Sequence, residues 1–157
     1  MSTAVFAMPG ALKTLLSGRA GLYGMHIATG PLGDTDPDEA IHIMRPRVAR
    51  TPRTMTGHKL GGHDEDGTIT VLVMVFRTGA GQVCIDTVRD RCKEICEEIE
   101  AAVGADPLIG NTATYGAHIS SIAEADYGIE PAPRAGHWIT VEVTLSFKTR
   151  VYPGGLS

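Results

Sequence analysis

Apolar residues recur with helical spacing in two stretches of the chain. Pro9–Ser17 is predicted to be a short helix, because its leucines share one face, a proline suits the first turn and a glycine follows. Gln82–Val103 is predicted to be a long helix, since apolar residues recur every three or four positions and charged residues fill the other side. Gly104 and Pro107 then end it.

Other segments show the two-residue alternation of strands. The predicted strands are Tyr23–Thr29, Glu39–Met44, Thr68–Arg77, Thr112–Tyr127 and His137–Val151. Thr68–Arg77 is apolar on both faces, which predicts a central strand that is covered on both sides. His137–Val151 is apolar on one face only, so its other face is expected to meet water or a partner. Thr112–Tyr127 loses its phase at Ser120 and Ser121, which predicts a bulge or a bend.

Together these elements predict an α+β fold. We expect a mostly antiparallel mixed sheet packed against one long helix, with a short N-terminal helix and a long extended arm. The length of 157 residues and the lack of an internal repeat indicate a single domain over residues 1–157, with a loose tail at 152–157.

The arm, residues 45–67, is too long for an ordinary connection and is rich in glycine and proline. Its first part is basic and its last part is acidic. We interpret it as an extended arm or a long hairpin that orders on meeting a partner. A solvated loop, a protein contact and a DNA contact all remain open. The candidate interface residues are Arg45, Arg47, Arg50, Arg53, Lys59, Asp64, Glu65 and Asp66.

Composition narrows the class of protein. The formal net charge is −4, which disfavours a general nucleic-acid binder. The longest strongly apolar run, Ile69–Phe76, is far shorter than the ~20 residues of a membrane helix, and the first residues do not resemble a secretory signal. Three cysteines within a short stretch do not suggest a disulfide framework, so a reducing compartment is expected.

Candidate chemistry is sparse. Cys84, Cys92 and Cys96 could form a metal or redox site, but buried thiols are the favoured interpretation, because no Cys-x-x-Cys pair is present and the helix carries no histidine. Gly79–Gly81 precedes a helix but lacks the rest of a phosphate-binding motif. Asp34, Asp36 and Asp38 alternate like calcium ligands but lack the glycine and glutamate of a calcium loop.

A metal-dependent enzyme remains an alternative. His58 and His63 with Asp64 or Asp66 have suitable donor atoms, although their spacing matches no helix-borne histidine pair. No constellation in the sequence otherwise supports catalysis, so we expect no enzyme activity, no metal and no cofactor.

The order of segments resembles a known family. The segments that carry the resemblance are the helix ending at 12–16, the strand at 24–30, Gly33-Asp34, the strand at 39–43, the strand at 69–75 leading into the helix that ends near 101–103, and the closing strand at 138–147. This order resembles the tail-terminator (tail-completion) proteins of long-tailed bacteriophages and prophages. It extends over nearly the whole chain and includes no short residue motif, so no binding residue is carried over.

The resemblance implies a structural protein of the virion tail that is assembled in the host cytoplasm. Such proteins form a hexameric ring on the tail tube, end its polymerisation and provide the surface that joins the tail to the DNA-filled head. The implied partners are further copies of the chain, the tail tube protein and a head-completion or connector protein. DNA would pass through the channel without sequence-specific binding. Head-closure adaptors and tail-tube-like subunits have similar patterns and remain alternatives, as does a free-standing binding module.

Overall fold

Two helices and six strands make up the regular structure of the described residues, which are 4–30, 37–53, 62–131 and 134–152 of a computed structural model. The helices are α1 (Ala4–Ser17) and α2 (Gly81–Ala105), and a short 3-10 turn covers Ala20–Leu22. The strands are β1 (His26–Thr29), β2 (Glu39–Ile43), β3 (Arg47–Pro52), β4 (His63–Thr78), β5 (Ala117–Glu130) and β6 (Gly136–Val151).

The strands form one mixed sheet in the order β1-β2-β4-β6-β5, with β3 also paired to β4. Only β1 and β2 are parallel among the described pairs. β4 and β6 pair along their full length, from His63 opposite Val151 to Thr78 opposite Gly136. The predicted α+β fold is therefore confirmed.

The core lies between one face of the sheet and the two helices. Alternate residues of β4 and β6 point into it and are buried against α2, which confirms the alternation predicted for β6. These residues are Ile69, Val71, Val73, Val75, Ile139, Val141, Val143, Leu145 and Phe147. On the opposite face of β4, Leu72 and Met74 are only half-buried. The predicted central position of this strand is confirmed, because β4 lies in the middle of the sheet. The predicted cover on both faces is only partial, since both helices pack on the face of Val71 and Phe76 is buried on the other face.

The predicted start of α1 is also wrong. The helix begins at Ala4, so Pro9 lies inside it rather than in its first turn. Met8 explains the difference, because its side chain is fully buried and extends the apolar face of Leu12 and Leu16 by one more turn.

The predicted boundaries of the strand before the last one also change. β5 begins at Ala117 rather than Thr112, because the backbone from Ile109 to Gly116 turns with several positive φ angles. The bulge predicted at Ser120 is confirmed, and a second register shift lies between Glu124 and Asp126.

The extended arm forms a β-hairpin where the structure describes it. β3 pairs with the first six residues of β4, from Arg47 opposite Thr68 to Pro52 opposite His63. Residues 54–61, including His58 and Lys59, lie outside the described residues, as do 153–157 of the tail.

Candidate assembly surface

The basic residues of the arm follow β3 and its flanks. Arg47 and Arg50 lie on opposite faces of β3, because successive strand residues alternate. Arg45, Arg47 and Arg53 are exposed and form no salt bridge within the described part of the chain. Arg45 and Arg47 therefore carry positive charge that no described neighbour pairs with, whereas Arg53 lies close enough to Asp64 to help lower the pKa of that carboxyl.

The acidic residues of the arm are held differently. Arg150 donates to Asp64 at 3.0 Å, and the Lys148 ammonium lies 3.7 Å from Asp66. The hydrogen bond from Arg150 is the largest influence lowering the pKa of Asp64, and it outweighs the opposing effect of burial. Both carboxylates are thus paired with β6 of their own chain.

Glu65 lies on the other face of β4 and is fully buried. Arg50 Nε donates to its Oε1 at 3.2 Å, and His63 Nε2 lies 3.1 Å from the same oxygen. A buried carboxylate needs such partners, because an unpaired charge away from water is costly. Arg50 therefore stabilises the pairing of β3 with β4 through its bond to Glu65, whereas Arg45 and Arg47 make no such bond.

The alternating faces of β4 separate the metal-ligand candidates. His63 and Glu65 lie on one face, whereas Asp64 and Asp66 lie on the other. Nowhere among the described residues do three or more histidine, cysteine, aspartate or glutamate side chains come together as metal ligands. His58, the remaining candidate, lies outside those residues.

The three cysteines are free and buried in α2, as the favoured interpretation predicts. Burial raises the pKa of Cys92 to about 12 and that of Cys96 to about 11, so both remain protonated thiols at neutral pH.

The other two candidate motifs have structural roles where they are described. Gly79 and Gly81 have positive φ angles in the turn that leads from β4 into α2. Asp38 pairs with Arg134, and Asp34 and Asp36 lie outside the described residues.

Sequence reasoning missed an ion-pair network beneath the sheet. Glu39 of β2 accepts hydrogen bonds from Arg91 of α2, at 2.9 Å to Oε1 and 3.1 Å to Oε2, and from Arg77 of β4. The Arg91 hydrogen bond is the largest cause of the lowered pKa of Glu39. No local pattern could have revealed these contacts, because the partners are far apart in the sequence.

Sequence reasoning also missed how open the last edge of the sheet is. β5 pairs with β6 on one side and with no strand on the other among the described residues. All residues from Ser120 to Tyr127 are exposed, including Ile122 at 44% and Tyr127 at 39%. The alternation of the sequence predicted a strand here but could not predict its position at an edge.

The structure is thus that of an α+β protein with exposed arginines around β3 and exposed apolar side chains on the edge strand β5. No protein-family model matches the chain, and no match was found among curated proteins. The chain is similar to a chain in the structure "Virion of native gene transfer agent (GTA) particle", with 12% sequence identity and a TM-score of 0.49. That likeness covers 96% of this chain and 100% of the other.

No helix within the described ranges is long and apolar enough to span a membrane.

Proposed function

We propose that this protein is a structural component of a phage-like virion that caps the tail tube as a ring. The ring would end tube polymerisation and form the surface that joins the tail to the head. Its partners would be further copies of itself, the tail tube protein and a head-completion protein, with DNA passing through the channel. The protein would be assembled in the host cytoplasm and would have no catalytic activity.

The unneutralised charge on the arm carries this proposal. Arg45, Arg47 and Arg53 are exposed on a strand hairpin and lack salt bridges within the described residues, which suits contact with an acidic protein surface. The segment order of the tail-terminator family supports the same role, since the described elements occur in that order along the chain.

The acidic candidate residues stabilise the hairpin in this proposal and do not contact the partner directly. Asp64, Glu65 and Asp66 bind Arg150, Arg50 and Lys148 within the chain and so hold the hairpin in shape. Lys59 lies outside the described residues and belongs to this proposal through its place in the sequence alone. We therefore assign direct contact to Arg45, Arg47, Arg53 and Lys59, and hairpin support to the acidic residues and Arg50.

A capping assay tests the function. Purified tail tubes are mixed with the protein, and their ends are imaged by negative stain. We expect a ring at one end of each tube and no further growth when tube protein is added. The triple variant Arg45→Glu, Arg47→Glu, Arg53→Glu should lose capping. Lys13→Glu, a single charge reversal of the same kind at an exposed residue of α1, should retain it.

The other candidate roles give different outcomes. Long open tubes formed by the protein alone would identify a tube-like subunit, because a head-to-tail contact that does not close gives a filament. Binding to the head portal without binding to tubes would identify a neck adaptor. A tightly held metal that is lost in His63→Ala would instead favour the metal-dependent enzyme.

A further inference from the structure

His42 of β2 is buried, and one of its ring nitrogens has no partner among the described residues. The residue is only 5% exposed, and its Nε2 atom neither donates nor accepts a hydrogen bond within those ranges. Ile41 and Ile43 point into the core, so His42 lies on the sheet face opposite the helices. A buried polar atom without a partner is costly, and a bound water or ion commonly satisfies it. The Nε2 atom therefore points to a ligand on this face of the sheet.

A second histidine lies beside it on the neighbouring strand. β1 and β2 are parallel, with His26 opposite Ala40 and Ala28 opposite His42. Paired residues of a sheet share a face, so these four residues form one block with the histidines at opposite corners. A strand spacing of ~4.8 Å and a two-residue rise of ~6.6 Å put the two histidine Cα atoms about 8 Å apart.

The other two corners of the block are occupied by alanines. Ala28 and Ala40 end at Cβ, so no long side chain of the block separates the two imidazole rings. Each imidazole is long enough to cover half of the Cα separation, and a zinc–nitrogen bond adds ~2.0–2.1 Å. Both rings can therefore reach one ion that lies above the alanines.

The protonation state of His42 suits metal binding. A ligating imidazole must be neutral, because its lone pair binds the ion. Burial is the main cause of the lowered pKa of His42, and the charge of His26 adds to it. His42 is therefore neutral at pH 7, and the electrostatic effect of His26 agrees with the short separation that the register gives.

We infer that His26 and His42 bind one divalent transition-metal ion, of the class of Zn²⁺, Ni²⁺ and Cu²⁺, on the sheet face opposite the helices. Imidazole suits these ions, whereas Mg²⁺ and Ca²⁺ prefer oxygen ligands. The site has two protein ligands and leaves the other positions of the ion to water. It is smaller than the clusters of three or more ligands, none of which occurs within the described residues. The ion joins β1 to β2 and so stabilises a four-residue strand at the end of the sheet.

The alternative interpretation is that a water molecule fills the space beside Nε2 and that no ion binds. The position of His26 favours the ion, because a buried water needs no second imidazole at the opposite corner of the block. His26 is also exposed, so it leaves a path from solvent to the site. The two interpretations predict different results when metal is added.

Calorimetric titration of the untagged full chain with Zn²⁺ and with Ni²⁺ tests the site. We expect one ion per chain and an affinity that falls below about pH 6.5, because protons then compete for the imidazoles. His26→Gln should weaken binding about tenfold or more, since one of the two ligands is lost. His118→Gln, at an exposed histidine of β5, is the matched control and should bind as the wild type does.

Two further measurements identify the ligands and the strand that they hold. Electron paramagnetic resonance of bound Cu²⁺ should show splitting from two imidazole nitrogens, which is reduced to one nitrogen in His26→Gln. Peptides covering His26–Thr29 should exchange their amide hydrogens about tenfold more slowly with Zn²⁺, whereas peptides from the middle of α2 should not change. Because His42 is buried, His42→Gln is used only after circular dichroism shows that it folds, and His26→Gln is sufficient without it.

Several results would overturn the inference. These are no binding by the wild type at millimolar ion, equal binding by the wild type and His26→Gln, and a two-nitrogen Cu²⁺ spectrum that persists in His26→Gln. A loss of binding in His118→Gln would place the ion on β5 instead and would also reject the site. The outcome is independent of the capping assay, because neither His26 nor His42 lies in the arm.

Discussion

At the scale of single residues, a close packing constraint in the sheet is a glycine beneath an aromatic ring. Phe147 of β6 lies opposite Gly67 of β4, and a Cβ added to Gly67 would lie 2.4 Å from the Phe147 Cζ. The ring is only 4% exposed and cannot swing into solvent. Gly67→Ala should therefore destabilise the protein by about 2 kcal/mol through overpacking, as measured by urea unfolding.

A second glycine provides the control for that substitution. Gly104 lies near the end of α2, and a Cβ added there meets nothing within 4 Å. Gly104→Ala should raise stability by about 0.5–1 kcal/mol, since alanine suits a helix better than glycine. Equal effects of the two substitutions would contradict the close packing of Phe147 on Gly67.

The charge of Glu39 should contribute to folding. Its carboxylate is paired with Arg91 and Arg77 and is mostly buried, and its lowered pKa means that the folded state favours the charged form. Glu39→Gln should cost about 2 kcal/mol of unfolding free energy at pH 7. A lowered pKa gives stability that is complete above the ordinary value of 4.5 and is lost as pH falls through the folded value.

The difference between wild type and Glu39→Gln should consequently shrink in acid, which denaturant unfolding at a series of pH values will measure. Glu94→Gln is the comparison, because Glu94 also binds Arg91 but is 63% exposed. Glu94→Gln should lower the free energy of unfolding by less than about 0.5 kcal/mol at any pH. A Glu39→Gln deficit that remained constant down to pH 2 would contradict this assignment.

At the scale of whole elements, α2 should protect its thiols from chemistry. The pKa values of about 12 for Cys92 and about 11 for Cys96 leave roughly one part in a thousand or less as thiolate at pH 8. Iodoacetamide should therefore label Cys92 and Cys96 at least about 100-fold more slowly in the folded protein than in urea, where thiols regain pKa values near 8.5. Rapid labelling of the native protein would show that α2 opens readily.

The elements also show what the sequence could and could not predict. α2 was predicted to within two residues at each end, because a long amphipathic period depends only on neighbouring turns. β3 was not predicted as a strand, since Arg47–Pro52 is polar and becomes a strand by pairing with β4. The first five residues of β4, His63–Gly67, were missed for the same reason. In the sequence, Asp64 and Glu65 belong to one run of acidic residues. Only the folded hairpin shows that Glu65 is buried and that Asp64 is paired with Arg150.

The candidate site was likewise predictable only as far as local sequence patterns reach. The sequence identified a charged arm, but it could not show which charges are satisfied within the chain. The structure separates the exposed Arg45, Arg47 and Arg53 from the paired Arg50 and from the three acidic residues. The open edge of β5 was equally hidden, because an alternating pattern does not reveal whether a strand has one neighbour or two.

At the scale of the whole molecule, the proposed ring should depend strongly on salt. Six copies of a 16.6 kDa chain would have a mass of about 100 kDa, and light scattering separates this from the monomer. Attraction between exposed charges is screened over ~10 Å at 0.1 M salt and ~3 Å at 1 M. If the exposed Arg45, Arg47 and Arg53 contact an acidic surface of the next copy, raising the salt should shift the mass towards that of the monomer.

Folding of the subunit should withstand the same change, because the Glu39 ion pairs are partly buried and the core is apolar. Circular dichroism measured beside the scattering will therefore stay constant while the mass falls. Arg45→Glu with Arg47→Glu should assemble weakly at low salt and recover in part as salt is added, since salt then screens a repulsion between like charges. A ring that becomes more stable at 1 M salt would instead indicate an apolar contact, with exposed Ile129 and Tyr127 as its first candidates.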